Sequence, residues 1–114
     1  MIAVIFEVWP DTDYHRDYLD LAASLRQELE MIEGFISVER FESLYDEGKL
    51  LSLSFFKDEN SVTQWRNTLA HRDAQALGKN RYFRDYRLRI AEVLRDYGPR
   101  VRTQVPADSR DIHG

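Results

Sequence analysis

Apolar and polar positions divide the chain into six elements, the first of which is a strand. Ile2, Val4, Phe6 and Val8 alternate with Ala3, Ile5, Glu7 and Trp9, so both of its faces are largely apolar and both call for cover. Pro10 closes the run, and Asp11, Thr12 and Asp13 are each able to cap a following helix. Tyr14, Tyr18, Leu21, Leu25, Leu29 and Ile32 then recur every three or four residues, which predicts an amphipathic helix with its charged face outward; Gly34 is placed to end it.

The stretch FISVERFESLYDEGKLLSLSFFKD holds two β-rich runs around Asp46, Glu47 and Gly48, the pattern of a hairpin with a short turn. In the second run Leu51, Leu53 and Phe55 share one face, and Leu50, Ser52, Ser54 and Phe56 share the other. Serines set between large apolar residues leave room there for something else to approach. Asp58 caps a second helix with Val62, Trp65 and Leu69 on one side, and His71 opens a further turn or a separate short helix through Leu77, ended by Gly78. The last strand alternates Tyr86, Leu88 and Ile90 with Asp85, Arg87, Arg89 and Ala91, and residues 98–114 read as an extended tail. The order strand, helix, strand, strand, helix, strand is the ferredoxin-like split βαβ arrangement, an α+β fold whose antiparallel four-stranded sheet carries its helices on one face, here over residues 1–97. Leaving the other face wet would expose more contiguous apolar area than monomers usually show, so the pattern predicts a homodimer with two sheets back to back.

Composition narrows the function classes. At 114 residues the chain fits one domain with one core. It has no cysteine, which excludes disulfides, thiolate catalysis, iron–sulfur clusters and thiolate zinc sites, and makes the cytoplasm the expected location. The apolar opening lacks a basic leader and a small-residue cleavage site, and no run approaches a membrane span, so neither a signal peptide nor a membrane partner is expected. The net charge of −4 combines an acidic stretch from Met1 to Val62 with an arginine-rich one from Lys79 to Arg102. The two neutralise one another within the fold or across a dimer, and no nucleic-acid partner is expected.

Taken together, MIAVIFEV, the Gly34–Phe35 pair, the hairpin FESL…GKLLSLSFF, the helix DENSVTQWRNTLAHRDAQALGK and the strand YFRDYRLRIAEV resemble the antibiotic biosynthesis monooxygenase family over residues 1–97. The resemblance implies a dimeric α+β barrel with a pocket in each subunit between sheet and helices. It also implies one of two chemistries: oxidation of phenols or anthrones by O₂ with no metal or flavin, or binding and degradation of haem. The haem-degrading branch uses an Asn on the first strand, the helix Trp and an axial His ten residues later; the matching positions here hold Glu7, Trp65 and Gln75, so two of the three depart. The cofactor-free branch uses the helix Trp, a Tyr six residues on, an Asn one turn before the Trp and an Arg of the last strand. Trp65 and His71 match the first two positions, Ser61 stands at the Asn-like position beside Asn60, and Arg87 or Arg89 supplies the cation.

The expectation is therefore a cofactor-independent monooxygenase that oxidises a small aromatic or quinone-like molecule with O₂. Such a reaction removes a proton from the substrate to give an electron-rich anion, which needs a base, hydrogen bonds to an oxyanion and a dry apolar slot. Trp65 would form the wall and His71 the base, its unperturbed pKa suiting proton abstraction near neutrality. Glu7 would orient His71 if it faces the same space, Arg87 or Arg89 would stabilise the anion, and Asn60 and Ser61 would bind substrate. Each has a structural alternative: Trp65 as core, His71 as a cap or surface group, Glu7 paired with an arginine of the final strand. A haem-binding protein and a non-catalytic ligand-binding dimer are the competing functions.

Overall fold

A computed structural model of the chain describes residues 1–68, 71–73 and 82–107. Leu69, Gln75, Leu77, Gly78, Lys79 and His113, which enter the sequence reading, lie outside the described residues. The observed order is β1 (Ile2–Pro10), α1 (His15–Glu30), β2 (Phe35–Glu42), β3 (Leu50–Phe56), α2 (Glu59–Arg66) and β4 (Phe83–Glu92). The strands form one antiparallel sheet in the order β2-β3-β1-β4, so the two-faced first strand lies inside the sheet, paired on both edges.

Register decides what each face carries. On the side covered by the helices, Ile2 pairs with Phe56, Val4 with Ser54, Phe6 with Ser52 and Val8 with Leu50. Ile90, Leu88 and Tyr86 of β4 stand beside Val4, Phe6 and Val8 on that side, at the sheet edge, and are 45%, 48% and 40% exposed. The opposite side presents Ala3, Ile5, Leu51, Leu53 and Phe55, with Phe41 from β2. Glu7 lies among them, its carboxylate bound to Lys49 Nζ at 3.2 Å and to Arg89 Nη1 at 3.1 Å.

The core is divided. One buried cluster joins Ile2, Leu29, Val38, Phe56 and Val62, with Trp65 packed against it; a second joins Val8, Tyr18, Ala22 and Leu50, with Phe6 and Phe83 alongside. Helix α1 spans both, contributing Tyr18 and Ala22 near one end and Leu29 near the other. No helix among the described residues is long and apolar enough to cross a membrane.

Local chemistry explains the element ends. The Asp11 carboxylate accepts from Asp13 N–H and starts a 3₁₀ turn at Thr12–Tyr14, so α1 begins one residue later than the apolar period predicts. Hairpin β2–β3 is joined by residues 43–49, longer than the short turn expected, because Ser43 N–H donates to the Lys49 carbonyl at 3.1 Å while Ser43 Oγ accepts from Tyr45 and Asp46 N–H. That connection folds onto the sheet: Trp9 Nε1 donates to Asp46 Oδ2 at 2.8 Å, and Lys49 Nζ sits 4.8 Å from the Trp9 ring centre. Residues 93–106 form no helix or strand, yet Asp96 N–H donates to Gln104 Oε1 at 2.6 Å and Val105 is buried.

Gly34 has φ +91°, and a Cβ there would collide with the Ser61 side chain. Gly48 has φ +84° but faces open space. Gly48→Ala therefore bears only the backbone cost, about 1 kcal/mol, whereas Gly34→Ala adds a steric one and loses clearly more. Urea unfolding of the two variants checks this; equal losses would remove the Gly34–Ser61 contact from the account.

Candidate functional site

Between helix α1 and the sheet lies a cavity of about 170 Å³, bounded by the two core clusters. Its floor is the middle of the sheet, where Val4, Phe6, Ser52, Ser54 and Val38 meet; its roof is Leu21, Ala22 and Leu25 of α1. The floor is low because the central strand carries serines where its neighbours in the same face, Leu50 and Phe56, are large. This is the room that the sequence pattern predicts.

Trp65 and His71 reach the cavity from α2 and the residues that follow it. The helix is set by Asp58, whose Oδ1 accepts from Ser61 N–H at 2.9 Å and from Ser61 Oγ–H at 2.8 Å; these two bonds hold its carboxyl below the usual range. At the other end Thr68 turns the chain: its hydroxyl donates to the Trp65 carbonyl at 2.9 Å and accepts from His71 N–H at 3.2 Å. The result is an edge-to-face pair, with the Trp65 and His71 rings 5.0 Å apart at 62°. Trp65 serves both readings, one flank packed on the Ile2–Phe56 cluster and the other lining the cavity.

Burial, with the Arg66 guanidinium adding to it, lowers the His71 pKa from its ordinary 6.5. His71 is accordingly neutral at pH 7 and able to accept a proton. Ser52, Ser54, Tyr18, Arg26 and Arg40 are the other polar groups on the wall. Among the described residues no group of three His, Cys, Asp or Glu side chains stands at metal-binding spacing.

The remaining candidates do not meet at the cavity. Glu7, Arg87 and Arg89 project from the opposite side of the sheet, since Glu7 pairs with Arg87 and Leu51 in register and alternates with the cavity-lining Phe6. Glu7 cannot orient His71 from there; it forms the ion pair with the final strand, joined by Lys49, and its pKa is lowered chiefly by the Lys49 hydrogen bond. Asn60 is exposed and absent from the cavity wall, and Ser61 is buried under Gly34 with its hydroxyl committed to Asp58. The position matched to the haem branch on β1, Glu7, thus faces away from the cavity, and its counterpart Gln75 lies outside the described residues. Arg40 was not singled out by the sequence pattern and Tyr18 only as part of the apolar face of the first helix, yet both line the cavity.

Comparison with known proteins gives the arrangement relatives. The family model for antibiotic biosynthesis monooxygenase matches residues 1–77. A jasmonate monooxygenase from Pyricularia oryzae is 46% identical over 93 residues, which are 82% of this chain and 43% of that protein. The chain thus spans less than half the length of this relative. A Mycobacterium tuberculosis structure superposes with a TM-score of 0.76 at 18% identity, over 85% of this chain and 98% of that one. A conserved protein from Methanosarcina mazei does so at 0.73 and 21%, over 80% and 90%. At these identities the two structures speak for the fold alone.

The lowered His71 pKa has a directly measurable sign. An NMR titration of the His71 imidazole is expected to give a midpoint below 6.5, and Arg66→Gln to move it upward by removing the nearby positive charge. A midpoint above 6.5 would mean that the ring is solvated and does not face the cavity.

Proposed function

This chain belongs to the antibiotic biosynthesis monooxygenase family, and from that membership we propose that it is a monooxygenase acting with O₂, and without added metal or flavin, on a small ring-bearing molecule held beside Trp65 and His71. The observation that carries the reading is the neutral His71 imidazole on the wall of a largely apolar cavity, beside Trp65. Supporting it are the 46% identity to a relative named as a monooxygenase and the lack of cysteine ligands anywhere in the chain. Cavity size bears on the substrate: about 170 Å³ exceeds the ~150 Å³ that admits benzene, so there is room for a single ring. Aromatic and quinone-like rings qualify; the Pyricularia oryzae relative is named for jasmonate, a single-ring ketone.

His71 takes a proton from a carbon made acidic by an adjacent carbonyl or phenol. The resulting anion passes one electron to O₂, and the two radicals combine to a hydroperoxide. Loss of water leaves a carbonyl, so one oxygen atom enters the product, the other leaves as water, and the substrate itself supplies both electron pairs. The apolar walls exclude bulk water, and Trp65 fixes the plane of the ring. General-base assistance is typically worth ~100- to 10,000-fold, so His71→Ala is expected to lower substrate-dependent oxygen uptake by a factor in that range while the far-UV spectrum is unchanged. Full oxygen uptake in that variant would reduce the chain to a ligand-binding module.

The second part of the proposal is a cytoplasmic homodimer joined through the helix-free side of the sheet. Ile5, Leu51, Leu53 and Phe55 form the apolar field there, with the Glu7–Lys49–Arg89 cluster within it. Sedimentation equilibrium at micromolar concentration is expected to give about twice the 13.5 kDa chain mass, and Leu53→Arg to return it to one chain. A wild-type species of one chain mass would sink the dimer.

A further inference from the structure

The cavity wall carries polar groups that the oxidation chemistry leaves unused, a guanidinium among them. Arg40, on β2, lies in the row Arg40–Ser52–Phe6–Leu88 across the cavity floor. Its Nε is buried and has no hydrogen-bond partner, and among the described residues no carboxylate stands within ion-pair distance of it. Such a donor in native protein calls for an occupant, because leaving it unmet costs the desolvation of a charged group. The other cation on the wall, Arg26, is already paired with Glu30 at 3.3 Å on the helix surface.

Tyr18 completes the arrangement. It is 5% exposed, packed edge-on against Phe83 with ring centres 5.4 Å apart, and shares the cavity wall with Arg40, whose positive charge acts on the phenol. Burial raises its pKa against the smaller opposing effect of Arg40, so the phenol keeps its proton. The protonated phenol can itself donate through its O–H. Arg40 Nε–H and Tyr18 O–H then offer two donors, one charged, at the same end of an apolar slot: a match for the two oxygens of a carboxylate. Trp65 packs at the other end, on the Ile2–Phe56 row, which lies four residues from the Phe6–Ser52 row or about 13 Å along the strand. That span suits a small acid lying lengthwise.

We propose that the cavity is built for a monocarboxylic acid with an apolar single-ring body, its carboxylate received by Arg40 and Tyr18 and its body directed toward Trp65. The inference rests on the functional reading for the chemistry of the body, but the anchor is tested by binding alone. The charged donor is also the source of selectivity: an ester or a neutral analogue of equal size leaves Arg40 unmet, whereas the acid satisfies it.

Calorimetric titration of the full chain with two acid and ester pairs, jasmonic acid with methyl jasmonate and phenylacetic acid with methyl phenylacetate, gives the test. A hydrogen bond to a charged group translates into roughly ten- to hundred-fold in affinity, and the acid of at least one pair is expected to exceed its ester by that factor. Arg40→Gln should abolish the preference and spare ester binding, Arg40→Lys should keep part of it, and Tyr18→Phe should weaken the acid alone. The readout is binding and not turnover, which separates this result from the outcome of the oxygen-uptake assay. Equal affinity for acid and ester, a preference that survives Arg40→Gln, or no measurable binding of either acid would each overturn the proposal. Should Arg40→Gln fail to fold, the acid-to-ester ratio of the wild-type chain and of Arg40→Lys still decides it.

Discussion

Two serines in the middle of a sheet govern this molecule. Protein interiors pack at crystal-like density, and the helix-covered face of β3 would ordinarily continue the large side chains of Leu50 and Phe56 inward. Ser52 and Ser54 break that continuity, dividing the core into two clusters with a gap between them. Helix α1 is anchored at both ends and bridges the gap: Tyr18 and Ala22 are buried in one cluster, Leu29 in the other, and Leu21 and Leu25 roof what lies between. A helix of sixteen residues is about 24 Å long, enough to rest on both supports. The fold thus keeps an apolar space open by fixing its rim and lowering its floor.

The two faces of the sheet do different work, and strand alternation assigns them. Val4 and Phe6 line the cavity while Ile5 and Glu7 look the other way. This much was legible in the sequence: the element order, the two-faced first strand and the room beside the serines follow from period and spacing, while the pairing of Trp65 with His71 came from the family resemblance. The same alternation already separates Glu7 from Phe6, and Arg87 and Arg89 from Leu88. Carrying family roles onto those three residues conflicted with the parity of their own strands. Ser61 misled for another reason, since its identity as a capping partner of Asp58, packed beneath Gly34, depends on contacts between distant segments.

Arg40 was hidden by a register shift. Counting alternately from Phe35, which packs on the core, would turn Ser37, Glu39 and Phe41 inward and leave Arg40 outside. The pairing slips between Phe35 and Ser37, so Val38 and Arg40 face the helices instead, and Phe41 is left 41% exposed. One extra residue in a strand thereby brings a guanidinium into an apolar cavity. Nothing in the composition of FISVERFE signals the bulge, because it is fixed by how β2 docks on β3.

The central claim is that the space above Ser54 is kept empty by design of the fold, and filling it tests that claim most directly. Ser54 is 8% exposed and paired between Val4 and Val38, positions where a β-branched side chain suits the strand. The unfolding free energy of Ser54→Ile in urea is the measurement. With a real cavity above it, the added methyl groups find room and the stability of the variant equals or exceeds that of the wild-type chain. A loss of about 1–3 kcal/mol, the usual cost of overpacking a filled core, would contradict the split core and the site built upon it.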